Sequence, residues 1–119
     1  MTNNVIQQKS YNFALKVVRM FQETAGNTGE RSLLHQLLRS GTSIGANIEE
    51  AEGAVSKKDF IAKMGIAFKE ARESHYWLRL LIDSNILGSK DVELLNDCVE
   101  ILKILNSILR TSRKQEDIE

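Results

Sequence analysis

Residues 39 to 51 read Arg-Ser-Gly-Thr-Ser-Ile-Gly-Ala-Asn-Ile-Glu-Glu-Ala, a run of small residues, hydroxyls and an amide between flanks of plainly helical pattern. A glycine inside a helix costs about 1 kcal/mol relative to alanine. Gly41 and Gly45 stand at i and i+4, hence on one face, and such a segment makes sense as helix where another helix backbone comes very close to that face. The feature constrains the chain to pack helix against helix. It is a packing motif, and nothing in it spells out a reaction.

The remaining sequence supports uninterrupted helices joined by short connections. The 119 residues include no proline, and the 7 glycines fall mostly at expected helix ends or in the small-residue run. Proline would have broken or kinked a helix. Length predicts a single domain over residues 1–119 with one core. The 16 Lys and Arg balance 16 Asp and Glu, so no global field draws the chain to nucleic acid or membrane, and any such binding must rest on a local patch. Residues 1–9 show neither an apolar h-region nor a small-residue cleavage site, and no apolar run approaches the roughly 18 residues of a membrane span. A cytoplasmic location with no membrane partner is expected. The one cysteine, Cys98, sits among Leu94, Leu95, Ile101 and Leu102 at helical spacing, where a buried small hydrophobe is expected and a reactive thiol is not.

Apolar periodicity predicts four helices, over about residues 4–25, 30–54, 56–84 and 89–113, arranged as an all-α, antiparallel up-down-up-down four-helix bundle. Ile6, Phe13, Val17, Met20 and Phe21 mark the first, which Gly26 stops. Leu34, Leu37, Leu38, Ile44, Ile48, Ala51 and Val55 hold one face of the second. Ser56 and Asp59 match a capping box opening the third, whose inner seam is Phe60, Met64, Ala67, Ala71, Leu78 and Leu81, with Ile61, Phe68 and Ile82 beside it. After Asn85-Ile-Leu-Gly88, where Asn or Gly can take a left-handed cap, Ser89 is expected to cap the fourth. That helix carries eleven apolar positions from Val92 to Leu109, more than one core-facing stripe of little over 100° needs. Val92, Val99 and Leu102 are therefore expected at a subunit interface, and residues 114–119, where the period is lost, are expected to fray.

Glu49, Glu50, Glu52, Glu70 and Glu73, with His35 and His75, are the residue types of a helical metal site. Their spacing fails it, since the residue three before His75 is Arg72 and three before His35 is Ser32, whereas bundle di-metal centres use Glu-x-x-His. No metal or cofactor is expected. Ser40, Thr42 and Ser43 have no histidine at hydrogen-bonding spacing, and no catalytic residues are assigned. Glu73 lies seven residues from Ile66 and from Leu80 on a partly apolar strip, where a desolvated carboxylate needs a partner. Arg39, Asn47 and Glu50 flank the tight segment, so a structural polar cluster of Arg39, Asn47, Glu50 and Glu73 is expected to fix helix register. The sharper functional signal is the stripe Lys58, Lys69, Arg72, Tyr76 and Arg79 with Trp77 adjacent. Positions 69, 72, 76 and 79 share a face and combine cations for phosphates with a ring on which a base can stack. Lys9, Lys16 and Arg19 form a second basic set on the first helix. A solvated face neutralised by nearby Glu is the competing account of both sets.

Four segments carry a family resemblance: Gln36-Leu-Leu-Arg39, Ser43-Ile-Gly-Ala-Asn-Ile-Glu-Glu50, Lys58-Asp59-Phe60 and Glu73-Ser-His-Tyr-Trp-Leu-Arg-Leu-Leu81. With them the chain resembles, over nearly its whole length, the bacterial four-helix-bundle proteins encoded in 23S rRNA intervening sequences, sometimes labelled ribosomal proteins. Many relatives have an Ala-Glu-Gly turn after the Asn-Ile pair; here Glu49-Glu50-Ala51-Glu52-Gly53 shifts the glycine. The resemblance implies a bundle that assembles into a ring, with a pentamer favoured, and no established enzymatic activity. Similar proteins are accessory factors of diversity-generating retroelements, where a pentameric bundle works with a reverse transcriptase and contacts nucleic acid. The expected function is a non-enzymatic homo-oligomeric bundle that binds RNA or an RNA-handling protein. The alternative is a purely structural protein–protein interaction module.

Overall fold

In the computed structural model, the backbone of residues 3–118 and the side chains of residues 5–115 are described. Four helices account for nearly all of this length: α1 (Asn3–Thr24), α2 (Arg31–Glu52), α3 (Lys57–Asp83) and α4 (Val92–Ile118). Short 3-10 turns at Ala25–Asn27 and Ser89–Asp91 precede α2 and α4, and no strand occurs among the described residues. α1 packs on α2, α2 on α3 and α3 on α4, while α4 closes back on α1. Each link reverses the chain, giving the antiparallel up-down-up-down bundle, 52 Å long and 21 Å across.

Local chemistry sets the joints. The Ser56 Oγ accepts from the Asp59 backbone N–H at 3.0 Å, capping α3. Asp59 reaches back to the Val55 N–H at 3.3 Å, one residue beyond the reciprocal bond of a strict capping box. Val55 is 92% exposed and lies in the α2–α3 link, outside α2. Its expected core position fails because α2 ends at Glu52, before the period reaches it. After α3 the chain turns at Asn85, whose φ of 64° is left-handed, a conformation that a short polar side chain tolerates. Ser89 does not cap α4. Instead the Asp91 carboxylate accepts from the Gly88 N–H at 3.1 Å and closes the 3-10 turn from which α4 departs. Residues 114–118 continue α4 where fraying was expected. Backbone bonding carries the helix beyond its apolar stripe, and Lys57 Nζ donates to Gln115 Oε1 at 2.8 Å. Glu119 lies outside the described residues.

Phe13, Val17, Leu34, Ile44, Ile48, Met64, Leu78 and Ile101 are among the side chains fully buried in the core. A Cβ on Gly41 would stand 3.2 Å from both Val17 γ-carbons and 3.5 Å from Phe13 Cε2, all side-chain atoms, so at 41 the missing Cβ makes room for side chains of α1 and the α1 backbone is met only at Gly45. At Gly45 the nearest atoms are the Ser10 carbonyl oxygen and Oγ, each at 3.5 Å, which is ordinary contact. Between α2 and α3 a buried Ser74 hydroxyl donates to Ser40 Oγ at 2.8 Å. The α1–α4 seam is the loosest of the four. There Lys9 donates to Glu100 at 3.0 Å, while Lys16 bonds Asp97 at 2.8 Å and Glu93 at 2.9 Å. These carboxylates, Asp97 foremost, raise the Lys16 pKa above its ordinary 10.5.

Candidate nucleic-acid interface

α3 has two chemically opposite faces. Met64, Ala67, Ala71, Ser74, Leu78 and Leu81 recur at three- and four-residue steps and are all buried. Rotated away from them, Lys58, Lys69, Arg72, Tyr76 and Arg79 are exposed. A rise of 1.5 Å per residue separates Arg72 from Arg79 by about 10 Å along the axis, and Lys58 from Lys69 by about 16 Å. Lys69, Arg72, Tyr76 and Arg79 thus form one patch, with Lys58 at a distance from it. The Arg113 guanidinium of α4 lies about 4.0 Å from where a Cβ at Gly65 would sit, on the same α3–α4 side. A hollow of about 420 Å³ opens between the two helices, lined by Arg72, His75, Tyr76, Arg79 and Leu102. Sequence spacing grouped three of these lining residues; Leu102 comes from α4, and only the packing of α4 on α3 brings it in.

Charge pairing distinguishes Lys9 and Lys16 of α1 from the α3 patch, whereas Arg19 of α1 is exposed and, like the α3 cations, outside the ion pairs of the described residues. Among the described residues, the ion pairs engage Lys9, Lys16, Arg39, Lys63 and Lys90. Lys69, Arg72 and Arg79 take part in none, and Asp83, one turn beyond Arg79, is likewise unengaged. Lys9 and Lys16 of α1 are therefore neutralised within the fold, while Lys69, Arg72 and Arg79 are exposed without a carboxylate partner among the described residues.

The expected polar cluster forms with a different membership. Arg39 of α2 bonds Glu73 through Nη2 and Glu70 through Nη1, the latter at 3.2 Å. The Trp77 indole N–H donates to the same Glu73 oxygen at 3.0 Å. Asn47 and Glu50 are elsewhere: Asn47 donates to the Ser43 carbonyl of its own helix at 2.8 Å, and Glu50 pairs with Lys63 at 3.0 Å. The α2–α3 crossing puts Arg39, not the residues two turns farther on, opposite Glu73. Glu70 and Trp77 were missed, although Trp77 stands at i+4 from Glu73, a spacing at which side chains meet. Glu73 is not buried, since its side chain keeps 38% exposure. Arg39, and secondarily Trp77, hold its pKa below the ordinary 4.5. The Trp77 ring in turn abuts Tyr76 edge-on, with centroids 5.1 Å apart and planes at 71°.

Cys98 is buried on the core side of α4, donating its thiol to the Ala71 carbonyl at 3.3 Å, and burial pushes its pKa up to about 12. Of the three α4 residues expected at an interface, Val92 is 39% exposed, while Val99 and Leu102 are half-buried. No three His, Cys, Asp or Glu side chains converge as metal ligands among the described residues. No described helix is long and apolar enough to cross a membrane.

The fold and this face define a four-helix bundle with one cationic, aromatic-bearing seam. The chain belongs to the 23S rRNA-intervening sequence protein family, whose model matches residues 2–107. It is similar to a crystal structure of a protein with unknown function from the S23 ribosomal protein family of Bacteroides thetaiotaomicron VPI-5482, with 45% identity and a TM-score of 0.83, over 92% of this chain and 99% of that one. Comparison with curated proteins gives no match.

Proposed function

We propose that the chain is a non-enzymatic, cytoplasmic RNA-binding bundle that meets RNA with the α3–α4 face. The observation that carries this reading is the contrast in pairing: Lys69, Arg72 and Arg79 are left without carboxylate partners while Lys9 and Lys16 are neutralised within the fold. Unpaired cations are free to replace counterions on phosphates, and Tyr76 supplies a stacking surface. Fluorescence anisotropy of a labelled RNA at two salt concentrations tests this reading. Lys69→Gln with Arg72→Gln should weaken binding at low salt and flatten the salt dependence, with log K losing about 0.7 in slope per phosphate contact on a single strand. Lys9→Gln with Lys16→Gln should change it far less, and equal losses from the two pairs would reduce the interaction to diffuse attraction.

A second reading concerns assembly. Val5, Tyr11 and Leu15 on α1, and Ile66 and Leu80 on α3, are large apolar side chains left exposed by the monomer. We propose that such surfaces join copies of the chain into a ring, the pentamer being the favoured form, and that this serves protein–protein interaction whether or not RNA is bound.

A further inference from the structure

The hollow between α3 and α4 is specific in its chemistry. Its lining provides two guanidinium groups, an imidazole, a phenol ring and one leucine side chain, and no carboxylate. A small inorganic anion would engage the arginines and leave the ring and Leu102 unused. An apolar helix would cover Leu102 and strand two charges against a surface without counterions. A planar group joined to an anion uses all of it. Two other surface hollows of the chain, of about 410 and 440 Å³, match its volume of about 420 Å³, so the lining and not the size distinguishes this one.

Tyr76 is built as a platform. It is 51% exposed, so it contributes little to the core, yet it is braced from behind. Trp77 meets it edge-on, Glu73 holds the Trp77 indole N–H, and Arg39 reaches from α2 to hold Glu73. A chain of contacts spanning two helices thus fixes the orientation of a ring whose outer surface faces solvent beside Arg72 and Arg79. Fixing it beforehand lowers the ordering cost of stacking a ligand on it.

Resting on the RNA-binding reading and narrowing it, we propose that this hollow seats one unpaired nucleotide of an RNA strand. The phosphate lies against Arg72 and Arg79, the base stacks on Tyr76, and Leu102 covers the edge. Arg39, Glu73 and Trp77 are positioning residues that act through Tyr76. Duplex RNA, whose bases are already stacked on one another, cannot present such a nucleotide.

The test uses the full chain and a fluorescein-labelled ten-residue oligouridylate, read by anisotropy at low salt, with circular dichroism confirming that each variant folds. Tyr76→Ala should weaken binding about tenfold, the scale of one base–aromatic stack, with the salt slope unchanged because no charge is removed. Tyr76→Phe should retain affinity within about twofold, since the ring is kept. Unlabelled single strand should compete and the oligouridylate–oligoadenylate duplex should compete poorly. Undiminished binding by Tyr76→Ala, together with loss in Arg72→Gln and Arg79→Gln, would overturn the seat and leave general RNA binding standing. Equal loss in Tyr76→Phe and Tyr76→Ala would overturn stacking. Competition by uridine monophosphate equal to that of the strand, nucleotide for nucleotide, would overturn the assignment to an RNA chain. No binding of oligouridylate by the wild-type protein would overturn the seat and the RNA-binding reading together.

Discussion

Gly41 and Gly45 belong to one motif but are unequal in space. A Cβ at 41 presses on Val17 at 3.2 Å, and at 45 it meets only Ser10 at 3.5 Å. Alanine recovers about 1 kcal/mol of helix propensity at either site. At 45 nothing opposes that gain, whereas at 41 the stiff β-branched Val17 must move. Chemical denaturation should therefore show Gly45→Ala more stable than wild type by up to about 1 kcal/mol, and Gly41→Ala no better than wild type. Leucine at either position should cost about 1–3 kcal/mol or more through overpacking. Equal midpoints for the two alanine variants would remove the distinction. Glu73 allows a test by pH. Its folded pKa lies below 4.5 because Arg39 and Trp77 bond the ionised carboxylate, so its contribution is present above the unfolded value and is lost as pH falls through the folded one. The exposed setting limits that contribution to about 1 kcal/mol at most. Glu73→Gln should be slightly less stable than wild type at pH 7, with the gap closing below pH 4.5. A constant gap in urea midpoints across this range would contradict the ion-pair account.

At the scale of the helix, spacing made most of the architecture legible. The buried residues of α1 and the inner stripe of α3 follow directly from steps of three and four. Partners across helices were not legible, because Arg39 could face Glu73, Glu70 or neither, depending on how far α2 slides along α3. The same holds for Glu50, which found Lys63, and for Leu102, which entered the hollow through the packing of α4. At the joints, Gly88 and Asp91 displaced Ser89 by supplying a 3-10 turn that a cap-based reading does not foresee. The Ser40–Ser74 bond on the α2–α3 crossing gives an element-level prediction. Ser40→Ala removes the acceptor of a buried hydroxyl and should cost about 1–3 kcal/mol. Ser74→Ala should cost less, because Ser40 keeps its own bond to the Leu37 carbonyl at 3.5 Å. The double variant should be milder than the sum of the two, and strict additivity in a denaturation cycle would count against direct coupling.

For the molecule as a whole, zero net charge conceals an uneven distribution, with the α1–α4 seam internally neutralised and the α3–α4 face left cationic. Spacing singled out the α3 set by its aromatic ring, but which cations meet a carboxylate depends on how the helices pack and was not legible in sequence. If the exposed apolar residues of α1 and α3 join copies into a ring, light scattering at micromolar concentration should give several times the 13.5 kDa chain mass. A concentration-independent monomer would contradict that, and a dimer would exclude the pentamer. The closed bundle also has a built-in slit. Three of its seams are held mainly by apolar packing, while the fourth depends visibly on Lys9, Lys16, Glu93, Asp97 and Glu100 around a hollow of about 180 Å³. Raising salt from about 0.1 M to 1 M shortens the screening length from about 10 Å to about 3 Å. It weakens these pairs and also Arg39–Glu70, Arg39–Glu73 and Lys63–Glu50 between α2 and α3, where the buried packing around Ser40 and Ser74 still holds the helices together. The cylinder should then unzip lengthwise, with α2 and α3 as its spine. Amide hydrogens of α1 and α4 should exchange faster at high salt while those at the Ser40–Ser74 crossing remain protected, so that ionic strength acts as a latch on access to Phe13 and Ile101.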